Sequence, residues 1–197
     1  MHLQTKNALL VGMTGEGKSF IGNLLLDRKV FRTSDDSSSV TQNCSLGSRD
    51  IYLSEKQFKL NVIDSAGLFD THRSQQDVHG ALSQFAELAP EGIHAILVVI
   101  PGGRYKRSVH DALVAVEVFF GKNVWQHCIV VYNQTKRNSQ DLWGDTSVKQ
   151  QAEFIEKWRD QGAEICTMAV ANEDRNNPGP RVARDAQKLL EAIACRN

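Results

Sequence analysis

Eight residues near the start of the chain, Gly12-Met-Thr-Gly-Glu-Gly-Lys-Ser19, have the types and spacing needed to hold a phosphate. They fit G-x-x-x-x-G-K-[ST], in which glycines let the backbone fold around an anion with its N–H groups turned inward. A helix that opens at the end of the motif adds positive potential at its N-terminus. The cradle is expected to run through Gly12, Thr14, Gly15, Glu16, Gly17, Lys18, Ser19 and Phe20. Lys18 would reach the β- and γ-phosphates, and the Ser19 hydroxyl would bind Mg²⁺. Glu16 brings a carboxylate near an anionic ligand. Only its N–H is needed there, so its side chain is expected to turn to solvent.

A second motif decides among the enzymes that use such a loop. Asp64-Ser-Ala-Gly67 follows Leu60–Ile63, read as a buried strand, and fits D-x-x-G. Asp64 would hold Mg²⁺ through water, and the Gly67 N–H would sense the γ-phosphate. Thr41 lies between the two motifs in a Ser/Asp-rich stretch, at the place of a switch threonine that closes over the metal. Together these residues imply a GTP-binding switch. They argue against a small-molecule kinase, for which the chain also lacks an Arg-rich lid segment. The residue directly after D-x-x-G is Leu68. It cannot orient an attacking water as a Gln there would, so the isolated chain is expected to hydrolyse slowly. His72 and His79 read as solvated loop histidines, and Asp35 and Asp36 as turn formers.

The elements that must position these residues alternate between strand and helix. Ala8–Val11 is a buried strand leading into the Gly-rich turn, and Lys18–Leu26 carries Phe20, Ile21, Leu24 and Leu25 at helical spacing. Cys44–Leu53 and Phe58–Ile63 read as paired strands, with Cys44–Leu53 the antiparallel one. Further strands are expected at His94–Ile100, His127–Tyr132 and Glu164–Val170, and helices at Val78–Leu88, Val109–Phe120, Val148–Trp158 and Arg181–Ala194. The pattern specifies an α/β fold of three layers, a P-loop NTPase with a mostly parallel six-stranded sheet. One domain spans residues 1–197, with a core at 7–170 and a C-terminal helix at about 181–194.

Composition narrows the function classes. The 197 residues carry 23 Lys+Arg and 23 Asp+Glu, so no global field draws the chain to nucleic acid or to anionic lipid. Cys44, Cys128, Cys166 and Cys195 are scattered without ligand spacing and read as reduced thiols. Trp125, Trp143 and Trp158 read as packing or interface residues. Met1–Asn7 is too polar for a signal peptide, and Ala95–Ile100 is too short to cross a bilayer. The C-terminal Ala-Cys-Arg-Asn is not a lipid-anchor box. A soluble, cytoplasmic protein without a transmembrane segment is expected.

Leu10-Val-Gly-Met-Thr-Gly-Glu-Gly-Lys-Ser-Phe-Ile-Gly-Asn23 resembles the opening of the immunity-associated nucleotide-binding GTPases, the IAN or GIMAP family with its AIG-type G domain. These are relatives of the chloroplast-import Toc receptors and of septins. Ser39-Val-Thr-Gln-Asn-Cys44 is similar to their first switch, and Ile63-Asp-Ser-Ala-Gly-Leu-Phe-Asp-Thr71 to their D-x-x-G box and its extension. His94-Ala-Ile-Leu-Val-Val-Ile100 with Gly103-Arg-Tyr105, and then Phe120-Gly121, continue the likeness from about Asn7 to Tyr132.

The resemblance implies a Ras-like G domain with Mg²⁺ and GTP or GDP as ligands. It also implies a homodimer or oligomer formed through the nucleotide face, in which Arg104 reaches the partner's nucleotide. A guanidinium suits that role because it is planar, always charged and bidentate toward phosphate oxygens. Guanine is usually read by N-K-x-D after the fifth core strand. Here Tyr132-Asn-Gln-Thr-Lys-Arg-Asn138 aligns Asn133 but puts Lys136 where the Asp belongs, while a two-residue shift matches Thr135-Lys-Arg-Asn138 to T-K-x-D with Asn for Asp. Asp141 lies nearby. Asn172 sits where the family carries an Asn-containing base loop. Base selectivity could therefore be relaxed, and a hydrolysis-deficient scaffold that oligomerises on nucleotide stays open beside the GTPase.

Overall fold

The computed structural model describes residues 3–32, 44–53, 55–65, 75–101, 107–133, 156, 158–168 and 180–196. In chain order the elements are β1 (Gln4–Val11), α1 (Lys18–Leu26), β2 (Ser45–Leu53), β3 (Lys56–Asp64), α2 (Gln75–Leu88), β4 (Ala95–Pro101) and α3 (Arg107–Phe120). A 3₁₀ turn (Lys122–His127), β5 (Cys128–Asn133), β6 (Glu164–Met168) and α4 (Pro180–Ala194) complete those among the described residues. The six strands form one sheet in the order β2-β3-β1-β4-β5-β6. Strands β3, β1, β4, β5 and β6 run parallel, and among the described strands β2 alone pairs antiparallel, with β3. The sheet and its antiparallel member are those expected from the sequence.

Alternation along the central strands divides the core into two layers. Leu9 and Val11 of β1, Ile96, Val98 and Ile100 of β4, and Val130 of β5 face one cluster with Phe85 of α2 and Leu113 and Val116 of α3. Ala8, Leu10, Leu97, Val99, Ile129 and Val131 face the other with Ile21, Leu25 and Leu26 of α1 and Leu189 and Ile193 of α4. Burying each Leu or Ile contributes about 1.5–3 kcal/mol relative to exposure. Helix α1 has nine residues, too few to persist alone in water. Its place is therefore set by the apolar face it buries against β1, and that packing fixes Lys18 and Ser19 at its first turn.

The structure corrects several boundaries. Strand β1 begins at Gln4 rather than near Ala8, because polar Lys6 and Asn7 are buried as ladder members, 3% and 1% exposed. The Lys6 ammonium donates to the Arg196 carbonyl, and Asn7 Nδ2 donates to the Gly92 carbonyl at 2.7 Å. Residues 122–126, left between elements in the sequence reading, form the 3₁₀ turn together with His127, so β5 starts at Cys128 rather than His127. That turn buries Trp125, whose ring stacks on Trp158 at 5.0 Å and 7°. Both are packing residues. Helix α4 starts at Pro180, one residue before the expected position, and the expected helix Val148–Trp158 falls almost wholly outside the described residues, as does Trp143.

Candidate nucleotide-binding site

The phosphate motif forms the turn between β1 and α1, at the C-terminal edge of the parallel strands. Chain order diverges on either side of β1, which is where ligands bind in open α/β sheets. Gly12 cannot be exchanged for a residue with a side chain. A Cβ there would lie 2.4 Å from the Val99 carbonyl oxygen of β4, so the loop leaves the sheet by passing directly over the neighbouring backbone. Gly17 caps α1 in the left-handed region, at φ 92° and ψ 17°, and brings no side chain to the helix N-terminus. The helical ladder starts with the Ile21 N–H donating to the Gly17 carbonyl at 3.0 Å. The amides of Lys18, Ser19 and Phe20 precede it, in the first turn, where helix termini attract anions.

Two side chains of that turn are held in place, one by the loop backbone and one by a side chain from the sheet. Lys18 is 6% exposed, and its Nζ donates to the Met13 carbonyl at 2.9 Å, folding the ammonium back over the loop. Ser19 Oγ donates to Asp64 Oδ2 at 2.6 Å, across 45 residues of sequence. Asp64 ends β3 and is likewise 6% exposed. Two hard oxygen donors in contact beside a phosphate loop are the donor set Mg²⁺ uses when it completes its shell with waters and phosphate oxygens. The residues present fit that ion. Among the described residues no group of three or more His, Cys, Asp or Glu side chains gathers elsewhere as a metal cluster.

The structure thus brings together Gly12, Thr14, Gly15, Glu16, Gly17, Lys18, Ser19, Phe20 and Asp64. Glu16 is half-buried, and its N–H donates to the Met13 carbonyl at 3.3 Å. Asn133 is the last residue of β5, paired in register with Pro101 and Met168, so its backbone lies at the same edge of the sheet. Thr41, Gly67, Arg104 and Asn172 lie outside the described residues, as do Leu68, Lys136, Asn138 and Asp141.

Sequence reasoning missed the work of Asn23. From α1 its Oδ1 accepts the N–H groups of Val30 and Phe31, each at 2.8 Å, and its Nδ2 donates to the Phe31 carbonyl at 2.8 Å. One side chain therefore fixes the backbone just before the Thr41 segment to the helix that carries Lys18 and Ser19. The signal was present as Gly22-Asn23 at the end of the first motif. An Asn four residues beyond Ser19 can only be read as a clamp once its partners are known.

Comparison with known proteins agrees with this geometry. The chain matches the AIG1 family over residues 6–195. It is 33% identical over 197 residues to immune-associated nucleotide-binding protein 12 of Arabidopsis thaliana, covering 98% of this chain and 48% of that protein. Toc33 of Arabidopsis thaliana in complex with GDP and Mg²⁺ superposes with a TM-score of 0.68 at 19% identity, covering 98% of this chain and 84% of that one. A structure described as showing that dimerization is important for the GTPase activity of the chloroplast translocon components atToc33 and psToc159 superposes at 0.67 and 20% identity, covering 98% and 82%. At such identities the likeness establishes the P-loop GTPase fold. The chain spans about half or less of the length of the curated plant relatives it matches. From its motifs, its sheet order and this match, the chain belongs to the AIG1 family.

Proposed function

We propose that the protein is a GTP-binding switch that hydrolyses GTP to GDP with Mg²⁺, with turnover that depends on pairing of two G domains through the nucleotide face. The observation that carries this reading is the contact of Ser19 Oγ with Asp64 Oδ2 beside the loop that Lys18 folds over. Gly12–Ser19 would wrap the phosphates, and Lys18 would offset their charge. Mg²⁺ held by Ser19 and Asp64, with Thr41, would neutralise charge between the β- and γ-phosphates. Gly67 would sense the terminal phosphate, and Asn133 and Asn172 the base. Residues 1–197 would act as one G domain. The scattered thiols fit a reducing, cytoplasmic compartment, and among the described residues no helix is long and apolar enough to cross a membrane.

Hydrolysis in this fold depends on positioning and on charge stabilisation rather than on covalent chemistry. Leu68 offers no hydrogen bond to an attacking water, so a single copy lacks that part. Arg104 from a second copy would supply charge to the leaving phosphates, as the likeness to proteins whose activity depends on dimerisation suggests. Single-turnover hydrolysis measured over a range of protein concentrations tests this. The rate per molecule is expected to rise at least about tenfold with concentration, an inserted Arg being worth more than that in related chemistry. Arg104→Ala is expected to remove the rise while leaving nucleotide affinity intact. Equal concentration dependence in the variant would contradict the assignment. Leu68 and the missing carboxylate after β5 favour a second reading, nucleotide-driven assembly with relaxed base choice and negligible turnover, for which association would be seen without phosphate release.

A further inference from the structure

The residues on either side of the Thr41 segment are held by two different helices. On the N-terminal side, Val30 and Phe31 are fixed to α1 by the three hydrogen bonds of Asn23, and the Phe31 ring lies against Gly22 so closely that a Cβ there would be 2.6 Å away. On the C-terminal side, the Cys44 N–H donates to Gln84 Oε1 at 2.9 Å. Gln84 is on α2, the helix that follows Asp64–Gly67 in the chain. Cys44 stands three residues after Thr41 and one before Ser45, which is paired in register with Asp64. Cys44 is thereby tied to α2, and its neighbour Ser45 to the strand that ends in Asp64.

We propose that Gln84 is a positioning residue that ties Cys44, three residues after Thr41, to the helix that follows Asp64–Gly67 in the chain, so that binding of a γ-phosphate depends on this link. The inference rests on the GTP reading above. The chemistry of the link is simple. Gln84 offers a carbonyl oxygen to a backbone donor, a role Glu keeps and Met, of similar length, cannot fill. GDP is held by the Gly12–Ser19 cradle on α1, which the Gln84 link does not touch. A triphosphate also needs Thr41 and Gly67 in place. Losing the link is therefore expected to weaken binding of a triphosphate selectively.

The test compares GDP with GMPPNP, each with Mg²⁺, by titration calorimetry on the wild type, Gln84→Met and Gln84→Glu, with thermal denaturation of each. The expected result is GDP affinity within about twofold in all three, GMPPNP affinity lower by roughly fivefold in Gln84→Met, the range of one hydrogen bond, and restoration in Gln84→Glu. An unchanged GMPPNP-to-GDP ratio in Gln84→Met, an equal loss for both ligands, or no restoration by Glu would overturn the role of Gln84 while leaving the GTP reading in place. A wild type that binds neither nucleotide would overturn both.

Discussion

His94 illustrates how a single ring nitrogen can set a pH limit. It precedes β4, and its ring Nδ1 accepts the Asn7 N–H at 3.1 Å while the His94 backbone N–H donates to the Asn7 carbonyl at 2.9 Å. An accepting Nδ1 must be unprotonated. Burial lowers the pKa of His94 below the ordinary histidine value, and the nearby Lys6 charge lowers it further, against a smaller opposing effect of Glu91. A group depressed in the folded state adds stability above its unfolded pKa, near 6.5 for histidine, and that stability is lost as pH falls toward the folded value. Chemical denaturation at pH 7.5 and at pH 5.5 or so should therefore show the wild type losing more stability than His94→Gln, which can still accept but does not titrate. Equal losses would contradict the assignment. Asn7 and His94 gave no signal of this pairing in sequence, because they lie 87 residues apart. The phosphate motif was legible because its residues are contiguous and their chemistry depends on backbone more than on neighbours.

At the scale of elements, the packing of α1 decides where the motif points. Gly22 faces the Phe31 ring, and a Cβ there would stand 2.6 Å from Phe31 Cε2 and 2.9 Å from Leu10 Cδ1. Alanine is the better helix former by about 1 kcal/mol, but overpacking a tight contact costs about 1–3 kcal/mol. Gly22→Ala is therefore expected to be destabilising, by up to about 2 kcal/mol, in a denaturant titration. A variant as stable as the wild type would show that the contact relaxes without cost. Strand and helix types were readable from apolar periodicity, and the antiparallel nature of β2 from the short polar link, Ser54–Gln57, that joins it to the next strand. The early start of β1 was not, since Lys6 and Asn7 read as surface residues until the Arg196 carbonyl and Asn61 are known to satisfy them. The 3₁₀ turn escaped because its two buried residues, Val124 and Trp125, are too few to show a period.

In the whole molecule, two core layers hold six strands so that β1 and β3 end side by side, and their register places Leu10 opposite Asp64. That pairing is what brings residues 19 and 64 into contact. Far from this edge, Arg196 donates to the Gln126 carbonyl at 2.7 Å and pairs with Glu164 at 2.9 Å, pinning the end of α4 across the base of β5 and β6. Cys128, buried there, has its thiol pushed up to about 12 by desolvation and is inert at neutral pH. The candidate site was legible as two motifs, while their meeting is a property of the sheet. The most direct measurement is a calorimetric titration of GTP with and without Mg²⁺, on the wild type and on Lys18→Ala, with ATP and XTP alongside to read base choice. The account expects Mg²⁺-dependent GTP binding that weakens in Lys18→Ala by about 10-fold or more, the worth of hydrogen bonds to a charged group. GTP affinity that is absent in the wild type, or indifferent to both Mg²⁺ and Lys18, would contradict it.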